Sequence, residues 1–117
     1  MFEPLDPDSL DLDTLNPGIW RTVLWLRGHG FNTCDSGDGV TNVAAGMEGA
    51  RDHGHVVIQL ESRAELFVAC DRIVELLAEL DVSTAQPGGV LVQGMYVPGD
   101  VPIVDVSNVT DEVMGFA

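Results

Sequence analysis

Apolar residues recur at helical spacing in two places along the chain. Ile19, Trp20, Val23, Leu24 and Leu26 project onto one side of a helix, while Arg21 and Trp25 lie four apart on the other. Asn16 ahead of Pro17 and Gly18 predicts where it starts, because Asn caps open amides and proline at the first helical position gives up an amide that has no partner. Gly28 and Gly30 predict its end near Arg27, whose charge suits the negative end of the helix dipole. Ser62 and Glu65 have the spacing of a capping box and open the second helix. From there to about Leu80, the residues Leu66, Cys70, Ile73, Leu77 and Leu80 form a stripe that Phe67 and Val74 widen. Asp71, Arg72, Glu75 and Glu79 fall on its wet side.

Strand patterns fill the rest. Residues 31–34 alternate and lead into a predicted turn at Asp35-Ser36-Gly37-Asp38-Gly39. Residues 55–60 (HVVIQL) hold three consecutive β-branched residues, the pattern of an inner strand. Residues 40–52 are rich in small side chains and fit neither period. Residues 90–97 and 101–106, joined at Pro98-Gly99-Asp100, predict a hairpin. The sum is an α+β domain over residues 16–117, with two helices packed on one face of a small antiparallel or mixed sheet. Residues 1–15, with two prolines and five acids, predict an acidic arm whose Leu5, Leu10, Leu12 and Leu15 could dock on a neighbouring subunit.

Charge narrows the partners. The chain of 117 residues has no lysine, five arginines and 19 carboxylates, for a net charge of −14. Every arginine (Arg21, Arg27, Arg51, Arg63 and Arg72) lies between residues 21 and 72, so both flanks are purely acidic. Such flanks repel nucleic acid and anionic membranes, whereas the central segment can receive a small anion. Apolar runs are too short to span a bilayer and the N-terminal pattern is not that of a signal peptide, which predicts a cytoplasmic location. Cys34 and Cys70 are too few and too far apart for a disulfide scaffold.

The predicted glycine-rich turn is the leading candidate site. Gly37 and Gly39 allow backbone amides to converge on phosphate or carboxylate oxygens. Asp35 and Asp38 would repel a bare phosphate but accept hydrogen bonds from ribose hydroxyls or base amino groups, with an arginine holding the anion. A nucleotide satisfies both demands. Asn32, Ser36 and one of Arg21, Arg27 or Arg51 complete the expected site, and Trp25 or Tyr96 offers a ring for stacking. Packing beneath a neighbouring element is the more ordinary role for Trp25. A metal set drawn from His29, Asp35, Asp38, His53 and His55 has unconvincing spacing. Ser36 or Cys34 with His29 as a hydrolytic pair rests only on nearness in sequence. No cofactor and no catalytic residue are expected. A separate reading of the same charge is an acidic inhibitor of a basic nuclease, of the anti-CRISPR or anti-restriction kind.

The run Trp25-Leu26-Arg27-Gly28-His29-Gly30-Phe31-Asn32-Thr33-Cys34-Asp35-Ser36-Gly37-Asp38-Gly39 resembles small phage proteins in which such a segment precedes a strand and a core helix. It is similar to the first type of Thoeris anti-defence sponge, and the likeness extends to about residue 80. This resemblance implies a homo-oligomer in the cytoplasm of an infected bacterial host. It further implies sequestration of a cyclic or ADP-ribose-derived signalling nucleotide between subunits, without cleavage and with arginine contacts to the pyrophosphate.

Overall fold

Four antiparallel strands and four helices build the α+β domain in the computed structural model, which describes residues 2–6 and 14–116. The order is α1 (Trp20–Gly28), β1 (Asn32–Asp38), α2 (Thr41–Ala44), β2 (Gly54–Gln59), a 3-10 turn (Arg63–Glu65), α3 (Leu66–Glu79), β3 (Leu91–Met95), β4 (Ile103–Ser107) and α4 (Asp111–Met114). The sheet runs β1-β2-β4-β3, so the predicted inner strand and the second arm of the predicted hairpin form its centre. No helix among the described residues is long and apolar enough to cross a membrane.

One sheet face carries the core. Val56 and Ile58 of β2 and Val104 and Val106 of β4 are fully buried with Ile19, Val23 and Leu26 from the α1 side and Ala69, Ile73, Leu76 and Leu77 of α3. Both long helices therefore lie on the same face, as the periodicity predicts. The stripe on α3 is narrower than expected: Phe67 is 85% exposed, and Val74 and Leu80 are also open to solvent. On the helix circumference Phe67 and Val74 sit beyond the reach of the sheet, past Leu66 and Cys70, whereas Leu80 lies on the core side but at the C-cap, where the helix ends. On α1, Thr22 and Arg27 are buried where Trp20 and Leu24 are only half-buried.

Helix α1 does not start where its local signals place it. Residues 17–19 form a turn, and the Asn16 side chain turns away to accept from the Asp38 amide at 3.1 Å and to donate to Asn42 at 3.2 Å. Asp111, at the head of α4, does the capping instead. Its Oδ1 accepts from the Thr22 amide and hydroxyl, both at 2.7 Å, and its Oδ2 accepts from the Arg21 amide at 3.2 Å. These are the amides an N-cap side chain would satisfy, and a carboxylate there also meets the positive end of the helix dipole. The Asp111 amide donates to the Gly18 carbonyl at 2.8 Å, closing the clasp.

The N-terminal arm docks on its own chain over residues 2–6. Phe2 stacks on Phe31 with ring centroids 4.7 Å apart, and the Leu5 amide donates to the Arg27 carbonyl at 2.9 Å. Gly30, at φ +90°, leaves room for the arm, since a Cβ there would overlap the Phe2 carbonyl carbon. Leu10 and Leu12 lie outside the described residues.

Because Asp111 is buried and bonds three donors, Asp111→Ala is expected to lower stability by about 2–3 kcal/mol, the scale for lost hydrogen bonds to a charged group. Urea denaturation measures it. A change below about 0.5 kcal/mol, the range of ordinary surface substitutions, would remove the clasp from this account.

Candidate functional site

Asp35 to Asp38 belong to β1 and not to a turn. Asp35, Ser36, Gly37 and Asp38 pair with Val57, Val56, His55 and Gly54 of β2, after a bulge at Cys34. Strand pairing has overridden the local turn chemistry, and the two glycines serve separate purposes. Gly37 is buried because His55 packs over it: a Cβ there would approach the His55 Cε1 to 2.9 Å. Only Gly39, at φ +83°, uses the conformational freedom of glycine, where the chain leaves the strand towards α2. The segment is therefore not a nest of converging amides.

Asp38 is a structural latch. Its carboxylate accepts from the Thr41 hydroxyl at 2.6 Å, from the Thr41 and Val40 amides at 2.7 and 3.0 Å, and from the Gly18 amide at 3.3 Å. Burial pushes its carboxyl up, but the hydrogen bonds from Thr41, Val40 and Gly18 together outweigh that and hold it below the ordinary aspartate value. Asp35 is exposed and reaches His55 Nε2 at 3.4 Å, while the His55 Nδ1 is buried and has no hydrogen-bond partner.

The candidate arginines are separated and engaged. Arg51 grips Asp105 with two bonds of 3.1 and 3.2 Å, donates to Ser107 at 3.1 Å and lies 2.8 Å from His53 Nε2. Arg27 is buried and donates from one terminal nitrogen to the Thr33 carbonyl and hydroxyl at 3.0 and 2.9 Å. Arg21 has the most open side chain of the three, stacked over Trp20 at 4.4 Å and 4.0 Å from Asp111. Trp25 packs against Phe116 and the core. Tyr96 follows β3 at the opposite sheet edge from β1, roughly 14 Å away across three strand spacings, with Arg63 over its ring at 5.4 Å.

Three hollows divide the expected residues. A hollow of about 290 Å³ holds Arg21 and Asp38 beside Thr110 and Glu112. A second, of about 200 Å³, holds Asp35 and Ser36. The largest, about 640 Å³, opens at the end of the sheet between the N-terminal arm and the β2–α3 connection. It brings Arg27 and Asn32 together with Gln59, Glu61, Glu65 and Glu3. Sequence reasoning missed these last four, and adjacency to the end of a predicted strand was the only signal available for Gln59 and Glu61. One of the Glu65 oxygens is committed to the amides of Glu61 and Ser62, at 3.0 and 3.1 Å, in the capping box ahead of α3.

Cys34 is poorly poised as a nucleophile. Burial, and then the negative charge of Asp35, push the Cys34 thiol up, against a backbone hydrogen bond that lowers it, so thiolate is scarce near neutrality. Among the described residues no group of three or more His, Cys, Asp and Glu is placed to hold a metal ion. No family model, curated protein or solved structure matches the chain, so the site is read from its own geometry.

The latch gives a signed pH dependence. A carboxylate held below its ordinary pKa contributes stability that is present above the ordinary value of 3.8 and is lost as pH falls through the lower folded value. A side-chain NMR titration is expected to find the Asp38 midpoint below 3.8, and Thr41→Val is expected to move it upward. A midpoint at or above the ordinary value would contradict the latch.

Proposed function

We propose that the protein is a binding protein that sequesters a cyclic or ADP-ribose-derived nucleotide without cleaving it, with the ligand seated in the cleft at the end of the sheet. The observation that supports this reading is the cleft itself. At about 640 Å³ it lies within the size range of small-ligand sites, and it joins one guanidinium to two amide side chains and three carboxylates. Arg27 lines the cleft while anchored on Thr33, so a phosphate there would share its guanidinium; Asn32 and Gln59 each donate and accept on the edge of a base. Glu3, Glu61 and Glu65 accept from ribose hydroxyls or exocyclic amino groups. The resemblance of residues 25–39 to the Thoeris anti-defence sponge points to the same ligand class, although this proposal moves the contacts from Asp35 and Asp38 to the cleft.

Calorimetric titration against a panel of cyclic nucleotides and ADP-ribose derivatives tests it. Wild type is expected to bind at least one of them and return it intact. Asn32→Ala and Gln59→Ala are expected to weaken binding about tenfold each, the worth of one hydrogen bond of roughly 1.4 kcal/mol, while Asp35→Ala leaves affinity unchanged. Silence across the panel would overturn the reading. The acidic-inhibitor reading draws on a different observation: 19 carboxylates face five arginines, two of which, Arg51 and Arg72, already pair with Asp105 and Glu75, so most carboxylates have no arginine to neutralise them. A silent panel together with a salt-sensitive complex with a basic protein would favour it.

A further inference from the structure

The two edges of the sheet differ in how they meet solvent. At β1 the edge is bulged at Cys34 and carries Asp35 and Asp38, devices that discourage pairing with another strand. At β3 none of these is present: Leu91–Met95 has no proline, no charge and no register shift against β4. Residues 82–99 are uncharged throughout, in a chain of net charge −14.

Apolar side chains flank this edge on both faces. Leu91 and Met95 are 45% and 43% exposed on the face away from the helices, and Val97 and Val101 are open beyond the strand end. On the helix side, Leu66 and Cys70 both border Gly94, where a Cβ would lie 3.3 and 3.4 Å from them. Phe67, Cys70 and Val74 share one row of α3 at the i, i+3, i+7 spacing, so exposed Phe67 and Val74 stand on the flank of α3 above the open edge of β3.

We infer that β3 is the self-association edge of this protein, pairing antiparallel with β3 of a second copy about a two-fold axis to make a continuous eight-stranded sheet. Charge selects this occupant. Two molecules that each carry −14 repel where carboxylates meet, and residues 82–99 bring none to the strand edge; on the α3 flank the carboxylate beside Phe67 and Val74 is Asp71. An antiparallel strand pair is also self-complementary under a two-fold, so the outward N–H and C=O groups of one β3 meet those of the other. Phe67 and Val74 of each copy then cover the helix side of the junction, while Leu91 and Met95 cover the other.

This inference requires no ligand and stands apart from the nucleotide reading. Sedimentation equilibrium of the full chain without nucleotide is expected to give a dimer at micromolar concentration. Met95→Lys and Phe67→Asp, both at exposed positions, are expected to shift it to monomer with an unchanged circular dichroism spectrum. Asp35→Ala on the other edge should leave the dimer intact. Amide hydrogen exchange adds a readout that substitution cannot confuse: outward β3 amides should be protected in wild type and lose that protection in Met95→Lys. A monomeric wild type, or a dimer unaffected by both substitutions, overturns the inference.

Discussion

The start of α1 is held by two carboxylates from well-separated parts of the chain, and the rest of the fold is arranged around that grip. Asp111, just after the central strand β4, caps the Arg21 and Thr22 amides; Asp38, at the end of β1, takes the Gly18 amide. Because β4 and β1 flank β2 in the sheet, these anchors fix α1 against one half of the core face and leave the other half to α3. The clasp also explains how the chain tolerates burying the Asp111 carboxylate. Asp111 is 2% exposed, yet both its oxygens have donors and the helix dipole favours its charge.

Periodicity made the element types legible. The stripe of α3, the β-branched run of β2 and the turn between β4 and its neighbour all give the correct element, because in each the local preference and the tertiary demand agree. The failures fall where a long-range partner decides. Asn16 and Pro17 look like a helix start, but the partner for the open amides is Asp111, ninety residues away, and Asn16 is drawn to Asp38 and Asn42. Asp35 to Asp38 look like a turn, but β2 offers a complete set of pairing partners. Phe67 looks like core because hydrophobicity says nothing about how far the sheet extends beneath a helix.

The same distinction applies to the site. Sequence could group the arginines into a central segment but could not say which were already engaged. Arg51 is held by Asp105 and Ser107, so its proximity in sequence to Asp35 and Asp38 carries no proximity in chemistry. What converges instead is a set drawn from the end of α1, the start of β1, the end of β2, the 3-10 turn ahead of α3 and the N-terminal arm. No linear motif could announce it, since its members come from five segments joined by the antiparallel β1–β2 pairing, by the bonds of Glu65 to the Glu61 and Ser62 amides and by the docking of residues 2–6 beside Gly30.

The central claim is that ligand chemistry resides at the end of the sheet and not along Asp35 to Asp38. Backbone amide shift mapping by NMR during titration with ADP-ribose and its cyclic forms addresses that directly. The account predicts that the largest shifts fall on residues 27–32 and 59–61. Shifts centred on Asp35, Ser36 and Asp38, or an unchanged spectrum at saturating ligand, would contradict it.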